Sequence, residues 1–148
     1  LQKATELGVA RILPVMSERS EVKLDAQRAD KRLAHWRGIV VSACEQSGRA
    51  TVPEIAAPQA LAQAAAQRAG RGVILDPFAD DTLSSLRDTG LRECTIAIGP
   101  EGGWSPRDRE QLIAAGYEGL RLGPRVLRTE TAGIAAIAAL QALCGDLG

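Results

Sequence analysis

The 148-residue sequence predicts one α/β domain built on a mainly parallel sheet with helices on both faces. Three observations predict it. Short apolar runs alternate with stretches whose apolar residues recur every three or four positions. Glycines and prolines stand at almost every change of pattern. Two glycine-bearing loops directly follow strand-like runs, where open α/β sheets bind their ligands.

Leu1 to Leu7 reads as a helix already under way, closed by Gly8. Val9 to Val15 reads as a short strand with Pro14 near its end, and Ser17 to Val22 as a polar loop. Asp25 to about Ser47 is the longest helical pattern, carrying Ala29, Leu33, Trp36, Val40, Ala43 and Cys44 on one face and ended by Gly48. Thr51 to Ile55 is extended around Pro53. Pro58 to Ala69 reads as an alanine-rich helix with Pro58 near its start. Gly72 to Asp76 is a compact strand, Asp81 to Arg87 a short helix, and Glu93 to Ile98 the next strand. Ser105, Pro106 and Asp108 give the cap, first position and third-position acid of a helix that Gly116 closes. Gly119 to Leu122 is the last strand. The final helix runs from near Thr129 to about Leu143.

Composition narrows the function. Lys+Arg and Asp+Glu are both 18, which disfavours a polybasic, non-specific nucleic-acid binder. The balance is uneven, because residues 1–75 carry a net charge of +4 and residues 76–148 of −4. Three scattered cysteines and one histidine argue against a disulfide framework or a metal site. Unpaired cysteines suit a reducing, cytoplasmic compartment. The chain has no apolar run of membrane-spanning length and begins with no basic, apolar leader. Aromatics are 3%, so base stacking has few platforms.

Chemistry concentrates in the two loops. Gly99 to Gly103 has three glycines in five residues, which lets backbone N–H groups approach a ligand, but it is neither a dinucleotide fingerprint nor a phosphate loop. Gly123 to Arg128 leads into a helix start, with its unpaired N–H groups and positive dipole end. Thr129 also reads as a plain N-cap and Glu130 as a favourable first-turn acid. The small residues of the last helix, Ala132, Gly133, Ala135, Ala136, Ala138 and Ala139, permit close packing on the sheet or against a second subunit. His35, beside Trp36, reads as a structural histidine.

Four segments together resemble the bacterial 16S ribosomal RNA uridine-N3 methyltransferases of the SPOUT superfamily. They are Lys3 to Val9 with Pro14 and Ser17 to Ser20; Glu45 to Arg49 with Pro53; Ile98 to Ser105; and Leu122 to Ala132, which contains Arg128-Thr129-Glu130-Thr131. The resemblance spans nearly the whole chain. It implies a deep C-terminal trefoil knot, a homodimer, and an S-adenosylmethionine pocket formed by Gly99, Gly103, Leu122, Gly123, Leu127, Arg128, Thr131 and Ala132. It also implies an N-terminal PUA-like RNA-binding domain and a first strand, both lying outside this chain, whose residues 1–148 form the methyltransferase domain.

The acceptor nitrogen carries a proton at neutral pH, so the protein must assist its loss or stabilise charge on the uracil oxygens. Arg128 is the expected charge stabiliser, with Glu130 or Glu101 as acid or base. Arg19 and Arg49 are the expected contacts to RNA phosphates. Three rivals remain open: a SPOUT enzyme acting on another base or a ribose 2′-hydroxyl, a non-enzymatic dimeric RNA-binding module, and an unknotted flavodoxin-like protein.

Overall fold

A computed structural model describes residues 1–20 and 26–148. Glu21 and Val22 of the expected loop, and Asp25 at the expected start of the long helix, lie outside the described residues. In chain order the elements are α1 (Gln2–Glu6), β1 (Arg11–Ile12), β2 (Val15–Met16), α2 (Ala26–Ser47), β3 (Glu54–Ile55), β4 (Gln59–Ala60), α3 (Leu61–Ala66), β5 (Arg71–Leu75), a 3-10 turn (Leu83–Leu86), β6 (Cys94–Ala97), α4 (Pro106–Ala114), β7 (Tyr117–Leu120) and α5 (Thr129–Cys144).

All strand pairings among the described residues are parallel, as the sequence predicts. β5 is central, flanked by β6 and β7. Its side chains alternate between faces. Ile74 packs with Leu61, Ala65, Leu112 and Tyr117 beneath α3 and α4. Val73 packs with Leu83, Leu86 and Leu120, and Ala139 and Leu140 of α5 lie against that second cluster. Both β5 side chains are fully buried, which stabilises the fold by about 1.5–3 kcal/mol each. The sheet is therefore covered on both faces.

The other strands form an interrupted parallel pair. β1 lies beside β3 and β2 beside β4, with Arg11 opposite Glu54 and Val15 opposite Gln59. Leu13 and Pro14 bridge the first chain, and Ala56, Ala57 and Pro58 the second. The extra residue shifts the register by one, as a bulge does. This divides the single strand expected over Val9 to Val15.

The same pairing corrects the helix expected over Pro58 to Ala69. The Gln59 N–H donates to Pro14 O at 3.1 Å, so the residues after Pro58 join a strand and α3 begins only at Leu61. Alanine's helix preference yields to tertiary pairing here. The last strand begins two residues before its expected start, at Tyr117, whose ring is buried against Ile74 and Leu112. The short helix expected over Asp81 to Arg87 is the 3-10 turn.

Gly133 decides how α5 sits. A Cβ there would lie 2.7 Å from Ile98 Cδ1, so glycine lets the helix backbone close on the end of β6. Further along, Gln141 Nε2 donates to Leu7 O at 2.9 Å and ties α5 to α1.

Candidate functional site

Because β5, β6 and β7 are parallel, their carboxyl ends share one edge; Ile74 stands opposite Ala97, and Leu75 opposite Leu120. Three loops leave that edge, covering residues 76–82, 98–105 and 121–128. The fold therefore brings Gly99, Glu101 and Gly103 to the same end as Leu122, Gly123, Leu127 and Arg128. Glu130, Thr131 and Ala132 follow in the first turn of α5.

The loop after β6 is shaped by its glycines and by Trp104. The Gly103 N–H donates to Pro100 O at 2.8 Å, closing a turn in which Gly103 has φ +70°. A Cβ on Gly99 would lie 3.2–3.3 Å from the Trp104 indole, so the ring rests on bare backbone. Trp104 Nε1 is buried and has no acceptor among the described residues. The loop then enters α4 through a complete capping box. Ser105 Oγ accepts from the Asp108 N–H at 3.1 Å, and Asp108 accepts from the Ser105 N–H at 3.4 Å.

Asp108 has a second task. Its carboxylate also accepts from the Glu18 N–H, at 3.3 and 3.2 Å. Arg19 Nη1 donates to Gly102 O at 2.6 Å. These bonds hold the turn at Ser17 to Ser20 against the glycine loop, so Arg19 stands beside the other candidate residues. Arg49 stands elsewhere. Its Nη1 donates to Thr5 O at 2.7 Å and Val9 O at 2.9 Å, gripping the end of α1 and the segment after it. An RNA contact through Arg49 would compete with that scaffold task.

The loop after β7 is anchored at its root. The Arg121 N–H donates to Asp81 O at 2.8 Å, and the Leu83 N–H donates to Arg121 O at 3.0 Å. Leu122 rests on the second core cluster, and Gly123 turns with φ +136°. Arg128, not Thr129, is the N-cap of α5, and it makes no side-chain cap hydrogen bond. The helix start therefore lacks the N-cap side-chain acceptor that α4 has. Arg128, Glu130, Thr131 and Glu101 are exposed, whereas Leu122, Leu127 and Ala132 are half-buried.

Sequence reasoning missed Asp76. It accepts from the Phe78 N–H at 2.9 Å and pairs with the Arg109 guanidinium. Burial opposes its ionisation, yet those two donors hold its carboxyl below the ordinary carboxylate value. Gly119 leaves room for it, since a Cβ there would lie 3.3 Å from Asp76 Oδ2. The sequence signal was the Asp76-Pro77 pair directly after an apolar strand.

Glycine-lined backbone, open helix-start N–H groups and half-buried leucines on converging loops form a setting for a ligand with both polar and apolar parts. The model of the RNA methyltransferase domain matches residues 1–141. The chain belongs to this RNA methyltransferase family. It is 38% identical over 149 residues to ribosomal RNA small subunit methyltransferase E of Buchnera aphidicola (subspecies Schizaphis graminum), covering 99% of this chain and 60% of that protein. Among solved structures, ribosomal RNA small subunit methyltransferase E from Neisseria gonorrhoeae bound to S-adenosylmethionine matches with a TM-score of 0.90 and 44% identity, over 99% of this chain and 61% of that one. A Legionella pneumophila methyltransferase structure with bound S-adenosylmethionine matches with a TM-score of 0.87 and 40% identity, over 95% of this chain and 58% of that one. This RNA methyltransferase domain thus spans about 60% of the length of the relatives it matches.

Proposed function

We propose that the chain is the cofactor-binding part of an enzyme that methylates N3 of a uridine in 16S ribosomal RNA, using S-adenosylmethionine. The observation that carries the reading is the convergence of the two expected loops at one sheet edge, in a fold that matches a cofactor-bound relative over 99% of the chain.

The residues present fit the cofactor. Gly103 leaves backbone bare on one side, in a loop whose Gly99 seats the Trp104 indole; Gly123 and the start of α5 offer backbone on the other. In this reading Gly99, Gly103, Leu122, Gly123, Leu127, Arg128, Thr131 and Ala132 hold S-adenosylmethionine, with the two leucines against its apolar parts. Bound there, it supplies a methyl group activated by a sulfonium. Arg128 stabilises negative charge on the uracil oxygens, and Glu101 or Glu130 accepts the N3 proton. Arg19 contacts RNA phosphate.

The reading extends to a deep trefoil knot at the carboxyl end, a cytoplasmic homodimer, and a PUA-like domain and first strand ahead of α1. The tight seat of Gly133 on Ile98 and the bond from Gln141 to Leu7 tie the C-terminal helix to the end of β6 and to α1, which supports that reading. A largely apolar groove of about 570 Å³, lined by Ile12, Ile96, Trp104 and Ile137, offers a place for that strand.

Arg128→Ala separates chemistry from binding. Single-turnover methylation of small-subunit RNA should fall by at least about tenfold more than S-adenosylmethionine affinity measured by calorimetry. Equal losses in both would reject the role given to Arg128.

A further inference from the structure

A second cleft lies beside the glycine loop, on the side of the Ser17–Ser20 turn. It encloses about 330 Å³ and is lined by Met16, Arg19, Arg32, Trp36, Pro100 and Glu101, among others. It brings two guanidinium groups, of Arg19 and Arg32, together with the Trp36 ring. Arg32 and Trp36 are four residues apart on α2, so they share a face of the helix. Lys31 and His35 are exposed on neighbouring positions, and the cleft is walled largely from the positive half of the chain. Arg19 is already oriented by its bond to Gly102 O, and the Glu18 N–H is fixed on Asp108. Pro100 and Glu101 belong both to this cleft and to the glycine loop.

We infer that this cleft seats a single-stranded RNA nucleotide, its base on Trp36 and its phosphate between Arg19 and Arg32. Unstacked RNA bases are recognised on aromatic faces and arginine planes, and guanidinium groups bind phosphate through paired donors. An acidic peptide would find the charge but leave the aromatic face unused. The inference rests on the methyl-transfer reading only for its purpose: a nucleotide held here borders the loop assigned to the cofactor, with Glu101 between the two. The scarcity of aromatics in the sequence is thus offset by the placement of one of its two tryptophans.

The two indole N–H groups make a direct test. The chain, labelled with nitrogen-15, is titrated with hexauridylate, and separately with inorganic phosphate and with S-adenosylmethionine. The Trp36 indole signal should shift saturably with hexauridylate while that of Trp104 moves little. Arg32→Ala, at an exposed position, should weaken the oligonucleotide about tenfold, with partial recovery in Arg32→Lys. Trp36→Phe should retain most of the affinity. An unmoved Trp36 signal, an unaffected Arg32→Ala variant, or an equal response to phosphate alone overturns the nucleotide site. Uptake of S-adenosylmethionine without a Trp36 response sinks this inference and leaves the transfer reading standing. A Trp36 response in a protein that takes up no S-adenosylmethionine does the reverse.

Discussion

Asp76 is a constrained acid near the candidate site, with its side chain only 11% exposed. Its folded-state pKa lies below its unfolded one, so the stability it contributes is present above the unfolded value and lost as pH falls through the folded one. Asp76→Asn should therefore flatten the loss of stability below about pH 4, read by chemical denaturation at a series of pH values. An unchanged acid limb would remove Asp76 from that account. Cys94 gives a second single-residue prediction. Burial pushes its thiol up to about 11, so little thiolate exists at pH 8. Cys144 is exposed, and iodoacetamide followed by peptide mapping should label Cys144 well before Cys94. Among these side chains, Ser105 and Asp108 were legible because a capping box is a local pattern. The pairing of Asp76 with Arg109 was not, since 33 residues separate the partners.

Elements were legible where their signals are local. α4 has its cap, proline and acid within four residues and forms where expected. Ser105→Ala should cost about 1 kcal/mol in denaturant unfolding, and the Asp108→Ala variant more, since it also releases the Glu18 N–H. Expectations failed where tertiary pairing overrides preference. The residues after Pro58 look helical, yet Gln59 pairs with Val15; nothing near residue 59 encodes a partner 44 positions earlier. α5 is different again. Its small residues left two readings open, and at Gly133 the structure shows close packing on Ile98. Gly133→Ala should destabilise the protein by about 1 kcal/mol, overpacking outweighing alanine's helix preference. Ile98→Val should recover most of that loss in a double-mutant cycle. A neutral or stabilising Gly133→Ala would show that the helix sits less tightly.

The parallel α/β plan was readable from alternation alone, because most strand runs are followed by a glycine or proline and then a helix. Its division into a three-stranded sheet and an interrupted pair was not, for the register slip depends on one extra residue between β3 and β4. The candidate residues came from motif resemblance; the structure adds their placement on loops at one edge, and adds the clamp by which Asp108 and Arg19 draw the first half of the chain to the second. That clamp joins the positive half to the loops of the negative half, and under the proposed function RNA and cofactor would meet at the glycine loop. Calorimetric titration with S-adenosylmethionine, with folding checked by circular dichroism, tests the central claim most directly. The account predicts saturable binding at one site per chain. A folded protein that takes up no S-adenosylmethionine, either as this chain or extended upstream to the length of its relatives, would contradict it.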